Sequence, residues 1–243
     1  MKEVWNPPHL CLFDHDRKIF TVKIPKAASS WLVSLFNNNP NKKMDIEDYL
    51  AFRDPIEKFK DYKFIAMVRD PVDRYASMCA ETFTRQYQKI NTETKDLIGY
   101  NISDEWQQQF KVDFDQWFSG KKVSDIIDFM SLDPVLKLHF EPQTYFLADI
   151  EKYHESISWF EVDDNLSSNV KLWMVTNDIK VFDDPAEFSW NRSRNHPFRK
   201  FIKNYVTELI ETEKGYREQI EDYYRSDMDH YHEKSKLCYR LGE

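Results

Sequence analysis

Apolar positions along the chain fall into two alternating patterns. Short runs rich in β-branched and aromatic residues lie at 18–24, 62–68, 156–162 and 178–182, and each reads as a buried strand. Longer stretches with apolar residues at three- and four-residue spacing lie at 29–37, 71–90, 103–118, 122–130, 164–176 and 199–225, and these read as helices. Strands that alternate with helices predict the α/β class, with a central parallel sheet flanked by helices. No Pro/Gly/Ser-rich linker, repeat or low-complexity tract interrupts residues 1–243, so the pattern predicts a single domain. The region from 84 to 155 is mainly helical and polar-aromatic and reads as an insertion. The tail from Tyr216 to Tyr239 mixes charges with tyrosines and reads as a helix packed on the domain.

Two strand-to-helix junctions carry the chemistry. In the first, the strand ending at Ile24 meets Pro25, which cannot continue a ladder, and then Lys26-Ala27-Ala28-Ser29-Ser30. Trp31-Leu32-Val33-Ser34-Leu35-Phe36 opens the helix. The unpaired amides and positive dipole of a helix start attract anions, and Lys26 adds a full charge. Ser29 and Ser30 can cap the helix or donate to a phosphate. An ordinary capped turn with a solvated lysine explains the same residues. The G-x-x-x-x-G-K-[ST] spacing of a nucleoside-triphosphate loop is missing, which argues against ATPase or GTPase chemistry. In the second junction, Phe64-Ile65-Ala66-Met67-Val68 ends in Arg69-Asp70-Pro71, and a helix begins at Pro71. Arg69 therefore stands at the carboxyl edge of a strand, where ligands bind in open α/β sheets, and its planar fork suits a phosphate. Ser77 follows eight positions later, and a turn-closing salt bridge at Arg69-Asp70 is the plain alternative.

In order and placement these segments resemble the sulfotransferase family that uses 3′-phosphoadenosine 5′-phosphosulfate (PAPS). Pro25-Lys26-Ala27-Ala28-Ser29-Ser30-Trp31 resembles the family's 5′-phosphosulfate loop, and Arg69 through Ser77 its 3′-phosphate motif. His139-Phe140-Glu141-Pro142-Gln143 resembles an H-x-x-P-Q element of carbohydrate and bacterial members. The resemblance implies a P-loop-like nucleotide-binding fold and one sulfotransferase-like domain with a helical lid or acceptor-binding insertion. It implies PAPS as donor, adenosine 3′,5′-bisphosphate as product, no metal, and a carbohydrate hydroxyl as acceptor. The implied donor-binding residues are Lys26, Ala27, Ala28, Ser29, Ser30, Trp31, Arg69 and Ser77. Trp31 would stack adenine, or serve as a core tryptophan. The chain departs from the family in four ways: Ala28 stands where glycine is usual, Ser29 and Ser30 replace the commoner threonines and keep the hydroxyls, the R-K-G element of cytosolic members is missing, and no histidine lies between Lys26 and Arg69.

Composition narrows the partners. The formal net charge of −8 argues against non-specific nucleic-acid binding, which needs a broad basic surface. One locally basic cleft for an anionic ligand remains compatible with it. The acidic pairs Asp163-Asp164 and Asp183-Asp184 read as turns. Cys11, Cys79 and Cys238 are scattered and odd in number, with no metal or disulfide spacing, which favours a reducing compartment. With no apolar leader and no 18-residue apolar run, the expectation is a soluble cytoplasmic protein without a membrane partner.

Sulfuryl transfer needs charge stabilisation on the leaving 5′-phosphate oxygen and a base for the acceptor proton. Lys26 suits the first task. For the second, Glu47 and Asp48 lie about twenty residues after the lysine, as a glutamate does in some relatives, or form a solvated face. His139 has near-neutral proton chemistry and the H-x-x-P-Q resemblance, or else orders the following helix. His196, beside Arg192 and Arg194, is a further candidate, and that arginine pair could reach an anion. His230 and His232 are two apart in a helical pattern and form no metal pair. Two other readings stay open at this point: a nucleotide-binding protein without chemistry, and a small-molecule kinase that requires ATP and Mg²⁺.

Overall fold

A hairpin opens the fold. Strands β1 (Leu10–Asp14) and β2 (Ile19–Val22) pair antiparallel, with Cys11 opposite Val22 and Asp14 opposite Ile19. The computed structural model describes residues 10–37, 45–48, 54–90, 104–152, 154, 156–181 and 197–240. The Asp14 carboxylate shapes the hairpin turn by accepting the amides of Asp16 and Arg17 at 3.1 and 2.9 Å, while Lys18 takes a left-handed φ of 51°. Arg17 also pairs with Asp14 and donates to the Leu35 carbonyl at 2.7 Å. That bond ties the turn to helix α1 (Ser29–Asn37).

The sheet runs β3-β1-β2-β4-β5, where β3 is Asp45–Asp48, β4 is Lys63–Val68 and β5 is Ile157–Glu161. β2–β4 and β4–β5 are parallel pairs, and β3 is antiparallel to β1. Four strands thus point one way and β1 runs against them: the expected parallel sheet is present in β2, β4 and β5, and the antiparallel pairs of β1 make the whole sheet mixed. The interior strand β4 buries all five residues after Lys63, as expected for a strand covered on both faces. Strands β1 and β3 lie outside the four predicted runs.

Contacts divide the chain into two compact units. The first comprises Met1–Asp70, Pro142–Phe188 and Ser226–Glu243. Its core is aromatic: Phe13 stacks on Phe20 and Phe59 at 5.5 and 4.6 Å, and Phe20 stacks on Phe64 at 4.7 Å. Each such ring contributes about 1.5–3 kcal/mol on burial, and offset pairs add roughly 0.5–1.5 kcal/mol. The short helix α2 (Pro55–Lys58) is capped by Asp54, whose carboxylate accepts the Glu57 amide at 3.1 Å.

The second unit comprises Pro71–Glu141 and Ser189–Arg225. Here α3 (Pro71–Ile90) packs along α9 (Pro197–Thr212), and buried Glu81 pairs with Arg199 across that seam at 3.0 Å. On α4 (Asp104–Phe118), Phe110, Phe114 and Phe118 recur every four residues and face Phe201 and Tyr205 of α9. Helices α5 (Val123–Met130) and α6 (Pro134–Phe140) complete this run.

The chain then returns to the first unit through α7 (Gln143–Glu151), β5 and α8 (Leu166–Thr176). The strand expected at 178–182 is absent from the described residues 178–181. Instead α8 ends in a Schellman motif. Asp178 takes a φ of 55°, its amide donates to Val175 at 3.1 Å, and the Ile179 amide donates to Met174 at 2.8 Å. Ile179 is apolar because it packs back on the helix end, where the sequence pattern resembles a strand.

The long helix expected over 199–225 breaks at Gly215, whose φ of 83° starts α10 (Tyr216–Tyr223). The tail continues as α11 (Arg225–Lys234) and a 3₁₀ turn (Ser235–Leu237). Tyr231 and Tyr239 pack on the core of the first unit, and the Tyr239 amide donates to the Trp159 carbonyl at 2.9 Å. The tail is a packed element, as its pattern predicts.

Candidate functional site

The loop after β2 is anchored by its apolar residues. Ile24 and Ala27 are buried, and the Ala27 amide donates to the Ile24 carbonyl at 3.2 Å. Between and after them the backbone turns left-handed twice, at Lys26 with φ 62° and at Ala28 with φ 56°. Left-handed residues alternating with others turn successive amides to one side of a loop, the geometry of an anion-binding nest. The first bond of the α1 ladder runs from the Leu32 amide to the Ala28 carbonyl at 2.9 Å. The amides of Ser29, Ser30 and Trp31 precede that ladder and sit at the positive end of the helix dipole. No acidic residue occupies the first turn of α1 to neutralise it. Ser29 is half-buried, Ser30 is exposed, and Trp31 is half-buried against the core.

Arg69 follows the last residue of β4, the strand parallel to β2. Its Nη1 donates to the Lys26 carbonyl at 3.0 Å. One bond therefore joins the two sequence motifs at the carboxyl edge of adjacent parallel strands. The Arg69 backbone is itself gripped. Gln143 Nε2 donates to the Arg69 carbonyl at 2.8 Å, and the Arg69 amide donates to Gln143 Oε1 at 3.1 Å. Fully buried Asp227 accepts the Gln143 amide at 2.6 Å and both the amide and hydroxyl of Thr144 at 3.0 Å. A carboxylate that receives the first amides of α7 complements that helix end.

The other predicted residues are placed as follows. Ser77 lies in the second turn of α3, where its hydroxyl donates to the Asp73 carbonyl at 3.2 Å. His139 is half-buried in the last turn of α6, and its carbonyl and that of Glu141 accept from Arg74 Nη2 at 3.3 and 2.7 Å. Arg74 is fully buried in the second unit and holds this helix end. Glu47 and Asp48 sit on β3 opposite Cys11 and Leu10. Because Cys11 also faces Val22, the Glu47 backbone lies level with the end of β2, two strand spacings or roughly 10 Å away. Arg192, Arg194, His196 and the pair Asp183-Asp184 lie outside the described residues.

Sequence reasoning missed Gln143, Asp227 and Arg74. Gln143 stands inside the H-x-x-P-Q element, so that motif carried a signal that was read only for its histidine. Asp227 carries no local signal, being eighty-four residues from the amide it receives.

Other reactive groups are accounted for by packing. Burial pushes the Cys79 and Cys238 thiols up to about 12, which suppresses the thiolate. His230 Nε2 lies 3.2 Å from the Glu151 carboxylate. Among the described residues no three His, Cys, Asp or Glu side chains are grouped to hold a metal ion. No described helix is long and apolar enough to cross a membrane.

The arrangement is suited to binding a polyanion. The Lys26 backbone, a loop with two left-handed residues, the start of α1 and the Arg69 guanidinium meet here, with no carboxylate in the first turn of α1. Searches of curated proteins and of solved structures found no match. The family model described as "Sulfotransferase family" matches residues 9–232, which takes in both joined motifs, and on that coverage the chain belongs to the sulfotransferase family.

Proposed function

We propose that the chain is an active sulfotransferase that uses PAPS as donor and a carbohydrate hydroxyl as acceptor. The observation that carries this reading is the bond from Arg69 Nη1 to the Lys26 carbonyl, which joins the two phosphate-type motifs at one sheet edge. When bound, PAPS supplies the sulfuryl group. The amides at the start of α1, with Ser29 and Ser30, would hold the 5′-phosphate, and Arg69 and Ser77 are the motif residues proposed for the 3′-phosphate. Lys26 would offset charge on the leaving oxygen, a group whose charge grows only as the bond breaks. Trp31 packs on the core and would offer its remaining face to adenine. His139 is the preferred base, with Glu47 and Asp48 as the carboxylate alternatives. The proposal extends to a P-loop-like nucleotide fold in one sulfotransferase-like domain, with residues 84–155 as an acceptor-binding insertion, and to a cytoplasmic location.

The test is a thermal melt with adenosine 3′,5′-bisphosphate, with ATP as comparator, followed by turnover of labelled PAPS on a glycan panel. Ligand at about 100 times Kd adds about 2.7 kcal/mol, equivalent to a Tm rise of roughly 5–10 °C. A chain that shows no shift with either nucleotide lacks the proposed site. A shift without turnover on any acceptor identifies a binding protein that has lost the chemistry, the reading suggested by the missing histidine between Lys26 and Arg69.

A further inference from the structure

The Arg69 backbone is fixed by the side chain of Gln143, whose amide bonds, among the described residues, to Arg69 alone. Gln143 is 1% exposed, so its amide is desolvated and its two bonds to Arg69 are made away from water. In such surroundings an unsatisfied amide is costly, which locks the pairing in one register. Asp227, also buried, fixes the Gln143 backbone and Thr144 from the far end of the sequence. Arg69 in turn donates to Lys26. The chain of bonds therefore runs from Asp227 through Gln143 to Arg69 and on to the loop backbone, all inside the first compact unit.

We propose that Gln143, held by Asp227, is a positioning residue that sets the guanidinium of Arg69 for the 3′-phosphate of the donor nucleotide. This rests on the nucleotide reading above. An arginine at the end of a strand has a long, rotamer-rich side chain, and a bidentate phosphate contact demands a fixed origin for it. The Gln143 amide supplies that origin by meeting both the N–H and the C=O of the same residue. An apolar side chain of similar volume would fill the space and leave two buried backbone groups unpaired.

The experiment compares the affinity of adenosine 3′,5′-bisphosphate with that of adenosine 5′-phosphate, which lacks only the 3′-phosphate. The variants are Gln143→Glu, which keeps the acceptor for the Arg69 amide and removes the donor to its carbonyl, and Asp227→Asn, which weakens the grip on Gln143. Melting curves confirm that each variant is folded, and the two variants serve as substitutes for each other. The expected result is that the wild type prefers the bisphosphate and that each variant loses about 10–100-fold of that preference, while binding of adenosine 5′-phosphate changes little. In an Arg69→Ala background the Gln143 substitution is expected to have no further effect on the preference, because its route to the 3′-phosphate is gone. Equal weakening of both ligands, an unchanged preference, or failure of both variants to fold would make Gln143 purely structural and overturn the proposal. A wild type that does not discriminate between the two ligands refutes the nucleotide reading itself, and this inference falls with it.

Discussion

Ala28 is the residue at which the loop geometry can be read as an energy. It occupies the family's usual glycine position and yet takes a φ of 56°. In that region the Cβ crowds the following carbonyl, at a cost of about 1–2 kcal/mol for a non-glycine residue. Ala28→Gly removes this strain. Against it stand the greater unfolded-state freedom of glycine, about 0.4–1 kcal/mol, and the loss of a half-buried methyl, roughly 0.4 kcal/mol. The net change is expected to be close to zero or slightly stabilising. Neighbouring Ala27 provides the internal control, since it is fully buried and has no left-handed φ. Ala27→Gly relieves no strain and loses both entropy and a buried methyl, roughly 1.5 kcal/mol in all. The two glycine variants should therefore differ by about 2 kcal/mol, or roughly 4–8 °C in Tm. Urea unfolding with matched slopes, backed by thermal melts, measures the difference. If both variants are destabilised equally, Ala28 is not strained and the left-handed turn at the start of α1 is wrong.

Arg69→Ala is expected to weaken donor affinity, because the 3′-phosphate is present in ground and transition states alike, whereas Lys26→Ala is expected chiefly to lower kcat; isothermal titration and steady-state kinetics separate the two. His139→Ala is expected to cost about 10²–10⁴-fold in kcat and to remove the acidic limb of the pH profile with donor affinity intact. Retained turnover there, with loss in Glu47→Gln or Asp48→Asn, assigns the base to a carboxylate. Burial opposes ionisation of Glu151, but His230 and Lys234 outweigh it and hold the carboxyl below its usual range. A folded value below the unfolded one gives stability that is present above the unfolded pKa of about 4.3 and lost as pH falls through the folded value. Glu151→Gln should thus cost about 1–2 kcal/mol near pH 7 and flatten the acid side of the stability curve, as followed by chemical denaturation across pH.

The sequence by itself determined the elements whose signals are local. Helices α1 and α3 begin and end where spacing and Pro71 predict, because the periodicity of one face and a proline at the helix start are written in consecutive residues. Strands β2 and β4 follow from short apolar runs buried on both faces, β5 follows from a run of which only Trp159 and Phe160 are buried, and the order Lys26, Arg69, His139 was enough for the family. Tertiary structure decided what depends on partners far away in the chain. The apolar run at Leu10–Phe13 becomes a reversed strand because β2 and β3 offer it edges on both sides. Ile179 looks like strand and instead closes a helix, since the Met174 carbonyl takes its amide. Ala28, which by its own preference avoids left-handed φ, adopts it because buried Ile24 and Ala27 before it and buried Leu32 after it fix the loop. The meaning of Gln143 and Asp227 is tertiary as well. Neither stands near Arg69 in sequence, and only the meeting of three separate segments around buried Gln143 and Asp227 turns an amide and a carboxylate into the support for a cationic site.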